Sequence, residues 1–303
     1  MAAVAVRQQP FFYGGQAVIE GVLMRGKAHY AVAARRRDGS IAIQQEPLRS
    51  RVYTSPLWRL PLFRGVAGLV EMLHLGMRAL TWSANVQMEA EEIQLSPRAM
   101  RVTMGFSIVF GLLLFVGLPL IAAGLLHRGQ RGVGFVVVEG VARAVVLLGY
   151  LLLIGMTPSV KRVFEYHGAE HKTINCFEAG DPLDVAHVGR ASRLHPRCGT
   201  GFLVVVAFVS IVVFAPLGGL NPVLLVLSRI VLVPLVAAIA YEGIRGLARI
   251  RATAVGRVLI APILATQLLT TREPDDRQME VAIAALQAAR AGEIDDTPLP
   301  LAS

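Results

Sequence analysis

Four stretches of the chain, Val102–Leu126, Val133–Met156, Phe202–Leu220 and Pro222–Tyr241, are almost wholly apolar. Each is long enough as a helix to cross a hydrocarbon layer of roughly 30 Å, which takes about 20 residues. The first two are joined by His127–Gly132 and the last two by Gly218-Gly219-Leu220-Asn221, so the pattern predicts two helical hairpins. A fifth apolar run, Val255–Leu269, is interrupted by Pro262 and Gln267; it reads as re-entrant or interfacial, with a fifth span as the alternative. Residues 61–92 have another rhythm: Leu69, Met72, Leu73, Met77 and Leu80 recur at helical spacing among Arg64, Glu71, His74 and Arg78. That predicts an amphipathic helix in the cytosol or at the membrane interface.

The ends of the chain carry shorter patterns. Residues 11–48 read as a small β unit, with Ala17–Met24 as a strand and Ala28–Arg36 and Ile41–Gln45 flanking Asp38-Gly39, a pair that favours a tight hairpin. Gly14-Gly15-Gln16 reads as the glycine-enabled turn that opens the unit. Met1 to Pro10 has no apolar core of the kind a signal peptide needs. Glu273-Pro274-Asp275-Asp276 opens a last amphipathic helix, and the tail after Gly292 reads as disordered. The expected fold is therefore mainly α: a polytopic membrane protein with about four transmembrane helices in two hairpins, a small N-terminal β unit, and cytosolic or interfacial helices. Its parts are an α+β region over 1–100, a membrane bundle over 101–272 that includes a His-rich linker at 158–199, and a C-terminal helix and tail over 273–303.

Composition agrees with this class. Of the 303 residues, 54% are hydrophobic and only 17% charged, and the mean hydropathy is +0.56, too apolar for an ordinary soluble domain. The net charge of +9 does not call for nucleic acid, because the Lys and Arg residues flank the apolar stretches. They crowd the region before Val102, the linker from Lys161 to Arg197, and Arg245 to Arg257, while the opposite loops hold only Arg128 and Arg131. By the positive-inside rule both termini and the linker face the cytoplasm. The two cysteines, Cys176 and Cys198, exclude a disulfide scaffold; in a reducing compartment Cys198 is the better ligand candidate and Cys176 a small packed side chain.

The linker contains the most informative motif, Tyr166-His167-Gly168-Ala169-Glu170-His171-Lys172. On a helix, His167 and His171 stand at i and i+4, where two imidazoles can close on one divalent ion, zinc being the one expected. Glu170 at i+3 stands on the same face as a candidate general base. This is the H-x-x-E-H order of the inverted zinc hydrolases, whose third ligand is a downstream glutamate. Glu242 fits that place, and His195 and Cys198 compete for it. A closed shell of His167, His171, His195 and Cys198 would instead be structural.

Four segments together carry a family resemblance: Gly14 to Gly26 (GGQAVIEGVLMRG), Tyr166 to Lys172, Ser192-Arg193-Leu194-His195-Pro196-Arg197-Cys198-Gly199-Thr200, and Thr271-Arg272-Glu273-Pro274-Asp275. In this order they resemble the YqhQ-like family, bacterial inner-membrane proteins of unknown function catalogued as predicted metal-dependent enzymes. The resemblance implies a polytopic protein of the bacterial cytoplasmic membrane with a metal site at the His-rich motif. It brings no demonstrated reaction with it.

The remaining charged residues have specific expectations. Lys172 or Arg197 is a partner for Glu170 if that carboxylate is only structural, and Glu20 and Arg25 pair with each other or support the metal ligands from behind. Within the spans, Glu139 and Arg143 are four apart and can pair on one helix, and Arg229 can share Glu139. Three classes of function remain: a membrane-anchored metal hydrolase at the cytoplasmic face, a scaffold or assembly factor stapled by a structural metal, and a small transporter using the intramembrane charges. The expected partner is the lipid bilayer; substrate and oligomeric state are left open.

Overall fold

The structure, a computed structural model, describes residues 13–48, 60–88, 97–127, 131–250, 253–291 and 293. Apart from Glu293, the tail expected to be disordered lies outside these residues. Four strands, β1 (Gly14–Val18), β2 (Gly21–Arg25), β3 (His29–Arg35) and β4 (Ile41–Pro47), form an antiparallel meander in sequence order. The expected single strand Ala17–Met24 is two: Val18 pairs with Gly21, so Ile19 and Glu20 make a two-residue turn, and Glu20 takes φ +51°. Gly14-Gly15-Gln16 is correspondingly part of β1, paired with Leu23 to Arg25, and not a turn before it. The Asp38-Gly39 hairpin is as expected, with Gly39 at φ +90° and Asp38 accepting from the Ser40 backbone at 2.9 Å.

Both faces of the sheet are covered, which is why β2 and β3 read as almost continuous apolar runs. The period of two sends Val22, Met24, Ala31 and Ala33 to one face and Val18, Leu23, Tyr30 and Val32 to the other. The second face packs on Leu75 and Ala79 of the amphipathic helix α1 (Phe63–Met88).

The apolar helices follow. The first span is a helix from α2 (Pro97–Leu112) through a π-helical stretch, Leu113–Gly117, into α3 (Leu118–Leu126). Pro119 explains the irregularity: it has no N–H for the carbonyl four residues back, at Phe115. That carbonyl accepts instead from Arg143 Nε at 3.0 Å. The second span is α4 (Val133–Ile154). It leads into α5 (Pro158–Ala179), with proline at N1 and Gly180 as left-handed C-cap at φ +82°. A short helix, α6 (Val185–Arg190), precedes α7 (Gly199–Phe214), which with Ala215–Leu217 makes the third span.

The run expected as one fourth span is bent by 48° between α8 (Pro222–Val231) and α9 (Val233–Ile250). Pro234 gives the reason, since it lacks the donor for the carbonyl at Ile230 and crowds it. Among the described residues, three helices are long and apolar enough to cross a membrane, or four if the bent pair is one span. Their outer faces expose side chains such as Phe106 at 70%, Leu125 at 76% and Phe208 at 68%, a surface compatible with lipid. The apolar run that holds Pro262 and Gln267 is one helix, α10 (Ala254–Thr270), of 17 residues. Finally α11 (Asp276–Arg290) starts on a capping box of Asp275 and Gln278. Its apolar side, with Val281, Ala282, Ala285 and Leu286, joins α5 residues Tyr166, Ala169, Ile174 and Phe177 over the first face of the sheet.

Inside the bundle Glu139 and Arg229 are both buried. Arg229 bonds the carboxylate of Glu139 twice, Nε at 3.1 Å and Nη2 at 2.5 Å, and Arg143 bonds the same carboxylate from the next turn. Arg143 also reaches Ser210 Oγ on α7 at 2.9 Å. Arg143 ties α4 to α7, and the carboxylate ties α4 to α8, as the expected sharing of Glu139 requires. Removing it strands two guanidinium groups where water cannot replace it. Glu139→Ala should lower the unfolding free energy in detergent by about 3–5 kcal/mol, whereas a loss below about 1 kcal/mol in equilibrium unfolding would contradict this role.

Candidate metal centre

The helix α5 is polar by composition yet buried from Gly168 to Thr173, so its polar groups must find partners inside the protein. Two of them are the expected ligands. His167 Nδ1 lies 2.8 Å from the carbonyl oxygen of Thr270, at the end of α10, and His171 Nδ1 lies 2.6 Å from that of Arg193, in the loop before α7. A carbonyl can only accept, so each Nδ1 carries the proton and each Nε2 presents a lone pair. That is the arrangement of metal-ligating histidines, whose far nitrogen is held by a carbonyl or carboxylate.

The third group is Cys198, whose Sγ stands 3.3 Å from His167 Nε2. Candidate ligand atoms of His167, His171 and Cys198 all lie within 4.8 Å of one another. A tetrahedral ion with bonds of about 2.0–2.3 Å sets its ligands roughly 3.3–3.8 Å apart, so the trio fits with a small inward movement. Borderline nitrogen and sulfur donors suit zinc among the common divalent ions. Cys198 is also the N-cap residue of α7, where the helix dipole favours a negative sulfur. The Thr200 hydroxyl touches that sulfur at 3.1 Å and receives a bond from Thr270 Oγ1 at 3.2 Å.

Glu170 is buried beside the trio, its Oε2 3.9 Å from His167 Nε2. It pairs with neither cation named for it. Lys172 goes to Glu273 at 3.0 Å and the Gly189 carbonyl at 2.9 Å, and Arg197 pairs with Glu178. Burial pushes the Glu170 carboxyl up to about 7, with His167 and the Gly15 backbone N–H pulling it down. The neighbour is β1: a Cβ on Gly15 would lie 2.9 Å from both Cγ and Oε1 of Glu170. Gly168 is under a similar constraint, since a Cβ there would sit 2.0 Å from the Arg272 carbonyl oxygen. The glycine in the motif lets α5 lie against the chain that follows α10.

The other candidates are not part of the cluster. His195 packs beside His171 with ring centroids 5.7 Å apart, but its Nε2 faces Arg197 at 3.3 Å and Glu178 at 3.8 Å. Burial lowers its pKa, reinforced by Arg197 and His171 against the opposing pull of Glu178. Glu242 is not beside the trio; both its oxygens are held by Arg64 of α1. Glu20 and Arg25 sit at opposite ends of β2 and do not pair with each other. Glu20 binds Arg162 Nη2 at 2.7 Å, and Arg25 lies 3.6 Å from Glu71. Both cysteines are free thiols, and Cys176 is buried with its sulfur on the Pro182 carbonyl at 3.4 Å.

Gln267 is a supporting residue that the sequence pattern hid. Fully buried, it accepts from His195 N and donates to His195 O, each at 2.8 Å, fixing the loop that delivers Arg193 and Cys198. A glutamine in an apolar helix was the available signal, since such a group needs an internal partner. Asn175 adds bonds to the Ser192 and Leu194 carbonyls at 2.7 and 3.0 Å.

Residues 60–291 match a family described as a protein of unknown function, DUF1385. The chain is also 36% identical over 289 residues to the uncharacterized protein YqhQ of Bacillus subtilis (strain 168), covering 90% of this chain and 91% of that one. The chain belongs to the DUF1385 family. No solved structure matches it. The DUF1385 match runs from just before α1 to just past α11 and takes in every member of the trio. The sheet that supplies Gly15 lies outside the match.

Proposed function

We propose that this DUF1385 protein is a metal-dependent hydrolase of the cytoplasmic membrane, with His167, His171 and Cys198 holding a zinc ion on the cytoplasmic side. The observation that carries this reading is Glu170: a buried carboxylate one turn from His167, held by a backbone N–H and, among the described residues, paired with no Lys or Arg. Three protein ligands are the usual number in catalytic zinc sites, and four in structural ones. A divalent ion there supplies Lewis acidity and brings the ionisation of water towards neutral pH. Glu170 Oε2 is the group placed to accept the proton released and return it to the leaving group. His167 and His171, fixed through their Nδ1 bonds, hold their lone pairs in place while this happens.

A second reading, a structural metal that staples the loop before α7 to α5, is favoured by burial: His171 is 1% and Cys198 8% exposed. Two substitutions separate the readings. Glu170→Gln keeps the size of the side chain and removes its basicity, so a hydrolase retains its metal and melting temperature but fails to complement deletion of the gene. His171→Ala should remove the metal under either reading. Full complementation by Glu170→Gln at normal expression rejects the hydrolase and leaves the staple.

The orientation is supported by the Lys and Arg clusters on α5 and the segments around it. A topology reporter at Asp184 or after Ser303 should read cytoplasmic, and one at Arg131 should read the opposite side. A non-cytoplasmic signal at Asp184 would overturn the placement of the metal centre.

A further inference from the structure

Away from the metal centre, a cavity of about 370 Å³ opens between the sheet, α1 and the first span. Its walls include Gln44 of β4, His74, Arg78, Trp82 and Asn85 of α1, and Met104 of α2. The α1 residues stand at i, i+4, i+8 and i+11, so they form one stripe along the helix. That stripe combines a guanidinium, an imidazole and an amide with the indole of Trp82, a side chain that favours the headgroup level of a bilayer. Met104 makes the other wall, and its face of the helix continues one turn on into Ile108, exposed at 59%. The polar end of the groove therefore meets the apolar surface of a span at Met104 and Ile108.

Charge indicates what fits. Arg101, exposed, precedes Met104 by about one turn on the same helix. Arg78 is held against Glu46, with both carboxylate oxygens 2.8 Å from Nη2, so it is fixed in place at the rim. Among the described residues, Arg78 and Arg101 set two guanidinium groups against the Glu46 carboxylate at this mouth, where the apolar surface of the span begins.

We propose that this groove is a binding site for an anionic phospholipid, its phosphate at His74, Arg78 and Asn85 and its acyl chains along α2. The proposal rests on the membrane reading above and is independent of the hydrolase. Basic residues near an anionic headgroup strengthen binding by about fivefold each, and a guanidinium is the side chain best shaped for phosphate.

Native mass spectrometry of the full protein in detergent, titrated with phosphatidylglycerol or phosphatidylcholine, tests it. The expected result is at least one phosphatidylglycerol bound about fivefold more tightly than phosphatidylcholine, with that preference lost in Arg78→Ala/His74→Ala. Because Arg78 also holds Glu46, a second variant, Thr81→Trp, fills the groove while leaving that pair intact and should remove the same preference. Equal affinity for the two lipids in the unaltered protein, or a preference that survives Thr81→Trp, overturns the site. So does displacement of the bound lipid by inorganic phosphate alone, which would identify a free-anion site. Phosphatidylcholine adducts that persist in every variant report the lipid-facing spans, so the membrane reading is scored separately from the groove.

Discussion

Two hydrogen bonds from histidine to backbone carbonyl organise the centre of this protein. Those from His167 to Thr270 and from His171 to Arg193 join three segments distant in the chain: α5, the end of α10 and the loop before α7. They also choose the imidazole tautomers, because a carbonyl leaves only the Nδ1–H form. Structure and chemistry are thus set by the same contacts. The bonds that hold α5 in place are those that fix both imidazoles beside Cys198.

The surrounding packing serves that placement. Gly168 lets α5 approach the Arg272 carbonyl, and Gly15 leaves room for the Glu170 side chain. Gln267 clips the His195 backbone from both sides, and Glu273 bridges Lys172 at 3.0 Å and Arg193 at 3.5 Å. A metal centre that drew only on residues of one helix would be free to distort. Here the sheet, α5, α7 and α10 each contribute an atom or a steric limit, so Glu170 and the trio keep a fixed relation. On the membrane side, Glu139 and its two arginines hold α4 to α8, and Arg143 reaches Ser210 in the later part of α7.

Much of this was legible in the residues because it depends on local pattern. Apolar run length gave the three long helices, heptad-like spacing gave α1, and four-residue spacing gave Glu139 with Arg143. The His167/His171 pair also followed from helical geometry. What was not legible depends on approach between distant segments. The turn at Glu20 needs a positive φ from a residue other than glycine, which no local rule predicts. The kink before α9 follows from Pro234, hidden in a run whose hydropathy looked uniform. Glu242 was named as a ligand from its order in the chain, and the structure gives it to Arg64, because α1 packs against α9. Gly15 opposite Glu170 is a tertiary contact with no spacing to reveal it, and Gln267 reads along the chain only as a polar break in an apolar run, its partner being the distant His195 backbone.

The central claim is that His167, His171 and Cys198 form one metal shell with a place left for a ligand from solvent. X-ray absorption at the zinc edge of the purified, metal-loaded protein tests it most directly. The account predicts one sulfur at about 2.3 Å and two imidazole nitrogens at about 2.0–2.1 Å, with a fourth, light ligand at oxygen distance. The sulfur should vanish in Cys198→Ser. A shell without sulfur, or one whose sulfur survives Cys198→Ser, would contradict it.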